Sequence, residues 1–179
     1  SCRGCLLDLV SWRRKYGGGW GRLCMRFKWL TKTACELTSY MAKGIPPKYT
    51  EEISDTTISV LNQKCNRDYK ISYGSSRLHD TAIKKVPEEK MLRVGDVLIN
   101  STGTGTAGRV AQMMDIPQRT TVDGHMIIMR PTDVIDSLYY GYAVKSHQSE
   151  IELFADGSTV HTELNESRLA GAIEISYHE

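Results

Sequence analysis

The chain has 179 residues, 40% of them hydrophobic, which suits one globular domain able to bury a core without disulfide staples. No apolar run approaches the roughly 20 residues that span a bilayer, and Cys5–Val10, broken by Asp8 and followed by Arg13, Arg14 and Lys15, makes a poor signal peptide, so a soluble, cytoplasmic protein with no membrane partner is expected. The net charge of +2 hides an asymmetry, ten Lys/Arg against two Asp/Glu in residues 1–49 and thirteen against nineteen in residues 50–179; a basic head attracts phosphates, while the acidic remainder argues against sequence-blind coating of nucleic acid.

Residues 6–16 read as a short helix carrying Leu6, Leu7, Leu9, Val10 and Trp12. Gly17, Gly18 and Gly19 break it, because three glycines lose too much backbone entropy inside an element. A boundary near residue 20 follows: residues 1–26 are a basic arm or remnant, 27–176 a single domain and 177–179 a tail. Phe27, Trp29 and Leu30 are expected to be buried. Ile45-Pro46-Pro47 is an extended turn, since proline disfavours helix in the residue before it. Thr56–Leu61 alternates as a strand. Asn62–Lys90 is polar and aperiodic, and reads as long loops around short pieces of structure.

Gly95-Asp96 turns into a strand, Val97–Asn100. Ser101–Gly108 is a Ser/Thr/Gly loop, and Arg109–Met113 resumes a strand. After a turn at Thr120–Gly124 comes the strand His125–Arg130. Pro131-Thr132-Asp133 opens a helix with Thr132 as its cap and Asp133 and Asp136 at its positive end. Val134, Ile135, Leu138, Tyr139 and Tyr142 fall on one face at helical spacing and are expected in the core. Asn165 caps a short turn before a last strand, Ala172–Ser176. These elements make an α+β fold: a twisted mixed, partly barrel-like sheet with one long helix near the C-terminal side and peripheral short helices, rather than repeated βαβ units.

Five cysteines lie at scattered spacings. Cys2 and Cys5 form one CxxC, Cys24, Cys35 and Cys65 stand alone, and no zinc set is completed. They read as free thiols of a reducing compartment, with no metal.

The most informative segment is Gly95–Val110. Gly103-x-Gly105-x-x-Gly108 follows a strand, as in a dinucleotide fingerprint, and Asp123 lies 20 residues beyond Gly103. The context fails, because Pro117 and a strand-like run stand where the helix is needed, and Asp123 sits in a turn. The same glycines imitate a phosphate loop, but Arg109 and Val110 replace its lysine and its metal-binding hydroxyl. What remains is a loop of small hydroxyls and exposed amides beside Arg109, either a phosphate-approaching surface or a structural turn. No catalytic set emerges. His79-Asp80 adjacency orients nothing, Ser75, Ser76 and Ser101 lack a nucleophile elbow, and His125 reads as a satisfied, partly buried strand residue.

The runs GDVLINSTGTGTAGRVA (Gly95–Ala111) and TVDGHMIIMRP (Thr121–Pro131) resemble the central signature of type I restriction–modification specificity (S) subunits. FKWLTKTACELTSYMAKGIPPKY (Phe27–Tyr49) is similar to that family's opening, and GSTVHTELNESRLAGAIEI (Gly157–Ile175) to its closing segment. The resemblance covers residues 27–176 and identifies a single target recognition domain. It implies a sequence-specific, double-stranded DNA-binding module of a host-defence system that is not itself an enzyme. Methyltransferase and restriction subunits are the implied partners, and S-adenosylmethionine, ATP and Mg belong to them; no cofactor is expected on this chain. Three features depart from the family: one recognition domain instead of two, no long spacer helix after residue 176, and residues 1–26. A half-subunit whose second recognition half lies on another chain, or a shortened subunit, would account for them.

For a DNA reader, Lys and Arg supply phosphate contacts, and Arg with guanine or Asn/Gln with adenine supply base contacts. The candidates are Asn62, Lys64, Asn66, Arg67, Lys70, Tyr73, Arg77, Lys84 and Lys85, with Gln63 and Tyr69 among them, then Thr104, Arg109, Gln112, Gln118, Arg119, Lys145, His147 and Gln148. Gly95, Asp96, Thr102, Gly103, Gly105 and Gly108 form the motif loop, read as scaffolding shared between targets. Two other readings stand beside this one: a subunit-docking remnant without DNA affinity of its own, and a nucleotide-binding enzyme built on residues 103–108.

Overall fold

The computed structural model describes residues 29–156, 164 and 166–178. The helix expected at 6–16, its glycine break, Phe27, the Cys2–Cys5 pair and the Asn165 cap lie outside those residues. Among the described ones the chain runs β1 (Trp29–Thr33), β2 (Thr38–Lys43), β3 (Tyr49–Thr50), β4 (Thr57–Leu61), β5 (Asn66–Arg67), β6 (Lys70–Ile71), β7 (Arg77–Asp80), β8 (Val97–Asn100), β9 (Val110–Gln112), β10 (Thr120–Val122), β11 (Met126–Pro131), α1 (Ser137–Ser146), α2 (Gln148–Asp156), α3 (Glu166–Ala172) and β12 (Glu174–His178). Cys35 and Cys65 are free. No described helix is long and apolar enough to cross a membrane.

The apolar runs of β8 and β11 explain the layering. Successive strand residues point to opposite faces. Val97, Ile99, Ile127 and Met129 enter a core with Tyr140, Val144, Ile151, Leu169 and Ile175. Leu98, Met126 and Ile128 enter a second core with Leu61, Cys65 and Val122. A strand buried on both faces needs apolar residues at consecutive positions, as these have. Each such side chain contributes about 1.5–3 kcal/mol on burial.

The sheet between the two cores is antiparallel, in the order β2-β11-β8-β9. Facing it across the second core is a mixed sheet, β10-β4-β7-β3, whose β10–β4 pair is parallel. The α+β class and the mixed sheet are as expected, and the barrel-like part takes the form of these two open sheets over a shared core. A β1–β12 ribbon and a β5–β6 hairpin complete the strands.

Four local expectations are corrected. Trp29 is 62% exposed and stands perpendicular to the His178 ring, the ring centres 5.6 Å apart, and Leu30 is half-buried. Thr120–Val122 is a strand, because it pairs with Ser59–Leu61, so the turn shrinks to Gly124 and His125. The last strand begins at Glu174, since Glu166–Ala172 is helical.

The fourth correction concerns the long helix, which is two consecutive helices parted at His147. It opens at Ser137, not near Thr132. Asp136 is its cap, accepting the Tyr139 N–H at 2.8 Å, while Thr132 gives its N–H to Leu37 O. Of the expected stripe only Ile135 is buried; Val134, Leu138, Tyr139 and Tyr142 are exposed. The face that packs is Tyr140, Gly141 and Val144. Gly141 helps to set it, because a Cβ there would lie 2.2 Å from Gln112 Oε1 and would displace the Gln112 amide from its bonds to Gly95 O and Ser137 O.

Candidate nucleic-acid interface

Gly103, Gly105 and Gly108 all take positive φ, at +111°, +68° and +84°, a region costly for residues with a Cβ. The second half of the resulting loop turns its amides inward. Thr106 and Ala107 donate to Gly103 O, Gly108 to Asn100 O, and Arg109 to Thr106 O. The Arg109 guanidinium donates to Gly105 O at 2.9 Å. The loop then runs directly into β9. Those four donors are already satisfied and no helix N-terminus stands behind them, which argues against a nucleotide cradle. Gly108 serves packing: a Cβ there would meet the Glu152 backbone of α2 at 2.7 Å. Gly95, at φ +93°, makes the turn that delivers Asp96 to Arg130.

Beside this loop lies a polar face. The Asn62–Cys65 turn is tied to the loop by Gln63 Nε2, which donates to Thr102 Oγ1 at 2.8 Å, and by Asn100 Nδ2, which donates to Gln63 O at 3.2 Å. Thr102 Oγ1 also meets His125 Nδ1 at 2.9 Å. His125 is exposed, not partly buried as expected. A recess of about 460 Å³ opens here, lined by Tyr49, Asn62, Gln63, Lys64, Ser75, Arg77 and Asp123. A second, of about 540 Å³, adjoins it and shares Tyr49 and Arg77.

Tyr49 and Arg77 form the ridge between the recesses, the guanidinium carbon 3.5 Å from the ring centre. Register explains the stack. Tyr49 pairs with His79, so Arg77, two residues along the same strand, lies on the same face as a diagonal neighbour. Burial pushes the Tyr49 phenol above its ordinary value, and the nearby Asp123 carboxylate adds to the effect, against the opposing pull of the Arg77 guanidinium. Burial likewise raises Asp123, against the opposing hydrogen bond from the His125 N–H.

The expected contact residues separate into groups. Lys64, Arg67, Lys70, Arg77, Lys84, Lys85, Thr104 and Arg119 are exposed. Arg119 pairs with Glu88 at 3.2 Å, and Lys84 Nζ donates to Pro46 O at 3.2 Å. Asn62 lines the recess, but its amide is occupied, donating to Ser75 O and accepting from Lys64 N. Tyr73 is half-buried against the second core, its hydroxyl 3.3 Å from Thr120 Oγ1.

Asn66 and Gln112 are corrected outright as contact candidates. Asn66 is 1% exposed, with Nδ2 donating to Arg109 O at 2.9 Å. Gln112 is 2% exposed, with Nε2 on Gly95 O and Ser137 O. A buried amide needs such partners, and these two fasten the loop and α1 instead of reaching outward. Lys145 and His147 belong to the helical layer, away from the recesses. Lys145 Nζ donates to Gln148 Oε1, and His147 meets Glu150 Oε2 at 3.0 Å and Glu174 O at 3.1 Å. Tyr49 and the recess role of Asp123 were missed in the sequence, since only the β3–β7 register and the Ile45–Asp123 bridge bring them together.

No sequence family and no curated protein matches the chain. Solved structures do. The S subunit of the type I restriction–modification system of M. genitalium superposes with a TM-score of 0.55 at 20% identity, covering 88% of this chain and 36% of that one. A chain from a structure of complex assembly and conformational transition in the type I system gives 0.55 at 17% identity, covering 96% and 39%. The chain has the fold of a type I S subunit over most of its length, as the sequence resemblance implied, and spans little more than a third of the length of these structures.

Proposed function

We propose that this chain is a target recognition domain that binds double-stranded DNA sequence-specifically and gives a type I restriction–modification complex its specificity, without catalysing a reaction itself. The observation that carries this reading is the S-subunit fold, found together with the four sequence segments in family order. The exposed cations Lys64, Arg67, Lys70, Lys84 and Lys85 suit phosphate contacts, and the tethered glycine loop suits a rigid support for variable reading loops. Methyltransferase and restriction subunits are its partners and hold S-adenosylmethionine, ATP and Mg.

The test is selection of preferred duplexes from a random pool by the full chain, with and without a methyltransferase subunit. One preferred short sequence is expected, with affinity that falls steeply with salt. Absence of any preferred sequence in both arms overturns the reading, and co-purification with a methyltransferase subunit without retained duplex replaces it with a docking role.

A further inference from the structure

Resting on that reading, we propose that Arg77, held against Tyr49, is the guanine-reading residue of this face, and that Asp123 makes the adjoining recess a place for a base edge instead of a phosphate. Three observations carry it. First, Arg77 is exposed yet preorganised. Its guanidinium carbon lies 3.5 Å from the Tyr49 ring centre, a contact that restrains the guanidinium against the ring while the side chain stays exposed. An arginine already held in one geometry loses less entropy on making a bidentate contact.

Second, Arg77 takes no part in the ion pairs of the described residues. The arginine pairs there fall on Arg119 and Arg130, and Arg109 is bound to its own loop. Third, Asp123 lines the same recess as Arg77, and the two form no ion pair among the described ones. A carboxylate there repels phosphate. It accepts from an exocyclic amino group, the one donor that a G·C pair shows in the major groove, while Arg77 donates to guanine O6 and N7. Lys64, on the rim, is left for the backbone.

The experiment compares Arg77→Lys, Arg77→Ala and Lys64→Ala in the full chain against the duplex selected by the unaltered protein and its single-base variants, over a salt series. Arg77→Lys keeps the charge and loses the fork. Both Arg77 changes are expected to relax discrimination at one G·C position by about 5- to 150-fold with the salt slope unchanged. Lys64→Ala is expected to weaken all sequences alike and lower the slope by about one. Uniform weakening by the Arg77 changes, with a lower slope, makes Arg77 a phosphate contact and overturns the proposal. Unaltered discrimination in both Arg77 variants overturns it as well. Failure of the unaltered chain to select any sequence overturns the functional reading beneath it.

Discussion

The guanidinium of Arg130 forks onto the carboxylate of Asp96, Nε 2.8 Å from Oδ1 and Nη2 2.7 Å from Oδ2. The side chains are 11% and 1% exposed. Each makes further bonds: Asp96 also accepts the Arg93 N–H at 2.9 Å, and Arg130 donates to Met91 O at 2.9 Å. Removing one member of a buried pair leaves the other charge unpaired, at about 3–5 kcal/mol. Asp96→Ala is expected to lower the unfolding free energy, measured by urea denaturation, by that much, and Arg130→Met added to it to recover part of the loss. A double change no more stable than Asp96→Ala alone would show that the two residues are not coupled.

Two glycines separate packing from backbone strain. A Cβ on Gly44 would lie 2.2 Å from the carbonyl oxygens of both Val122 and Asp123, which are backbone and cannot rotate away. A Cβ on Gly105 would meet nothing within 4 Å, although its φ is +68°. Gly44→Ala is expected to destabilise by about 3 kcal/mol, and Gly105→Ala by only the left-handed penalty of about 1–2 kcal/mol. Equilibrium denaturation of both variants measures the order, and equal losses would contradict it.

The inward amides of the glycine loop set a third expectation. A ligand that binds only the folded state raises the melting temperature, and four of this loop's amides, those of Thr106 to Arg109, are already taken by Gly103 O, Asn100 O and Thr106 O. Millimolar ATP or NAD is expected to leave the melting curve of the full chain where it is. A rise of several degrees with either would restore the nucleotide reading.

What the sequence revealed of this fold follows from the range of the forces involved. The strands through Val97, Leu98 and Ile99 and through Met126, Ile127, Ile128 and Met129 were legible because burial on both faces writes itself as an unbroken apolar run. Gly103, Gly105 and Gly108 were legible as a turn because three positive φ values require glycine. The face of α1 was not, because a glycine contact with Gln112 helps to decide it and the apolar stripe does not. Asn66 and Gln112 looked like surface amides for a related reason: polarity marks them, while their partners, Arg109 O and Ser137 O, stand 43 and 25 residues away. The Tyr49–Arg77 stack depends on strand register, which no short window contains.

Asp123 offers a test that links stability to the site. Its carboxyl is raised above the ordinary value, chiefly by burial. In the unfolded chain it ionises in the usual carboxylate range, so through the interval between the two values the folded state holds the extra proton. Stability therefore falls as pH rises through that interval, and the penalty is complete and constant above it. Asp123→Asn keeps an oxygen to accept the His125 N–H and removes the charge. It is expected to be more stable than the unaltered chain at neutral pH, with the difference shrinking as pH falls below the raised carboxyl's range. Urea midpoints over a pH series measure this, and a variant no more stable at neutrality would mean that the recess does not penalise the charge. A gain of stability in Asp123→Asn, at a carboxylate that forms no ion pair with the neighbouring Arg77 among the described residues, would fit a group that serves contact instead of the fold.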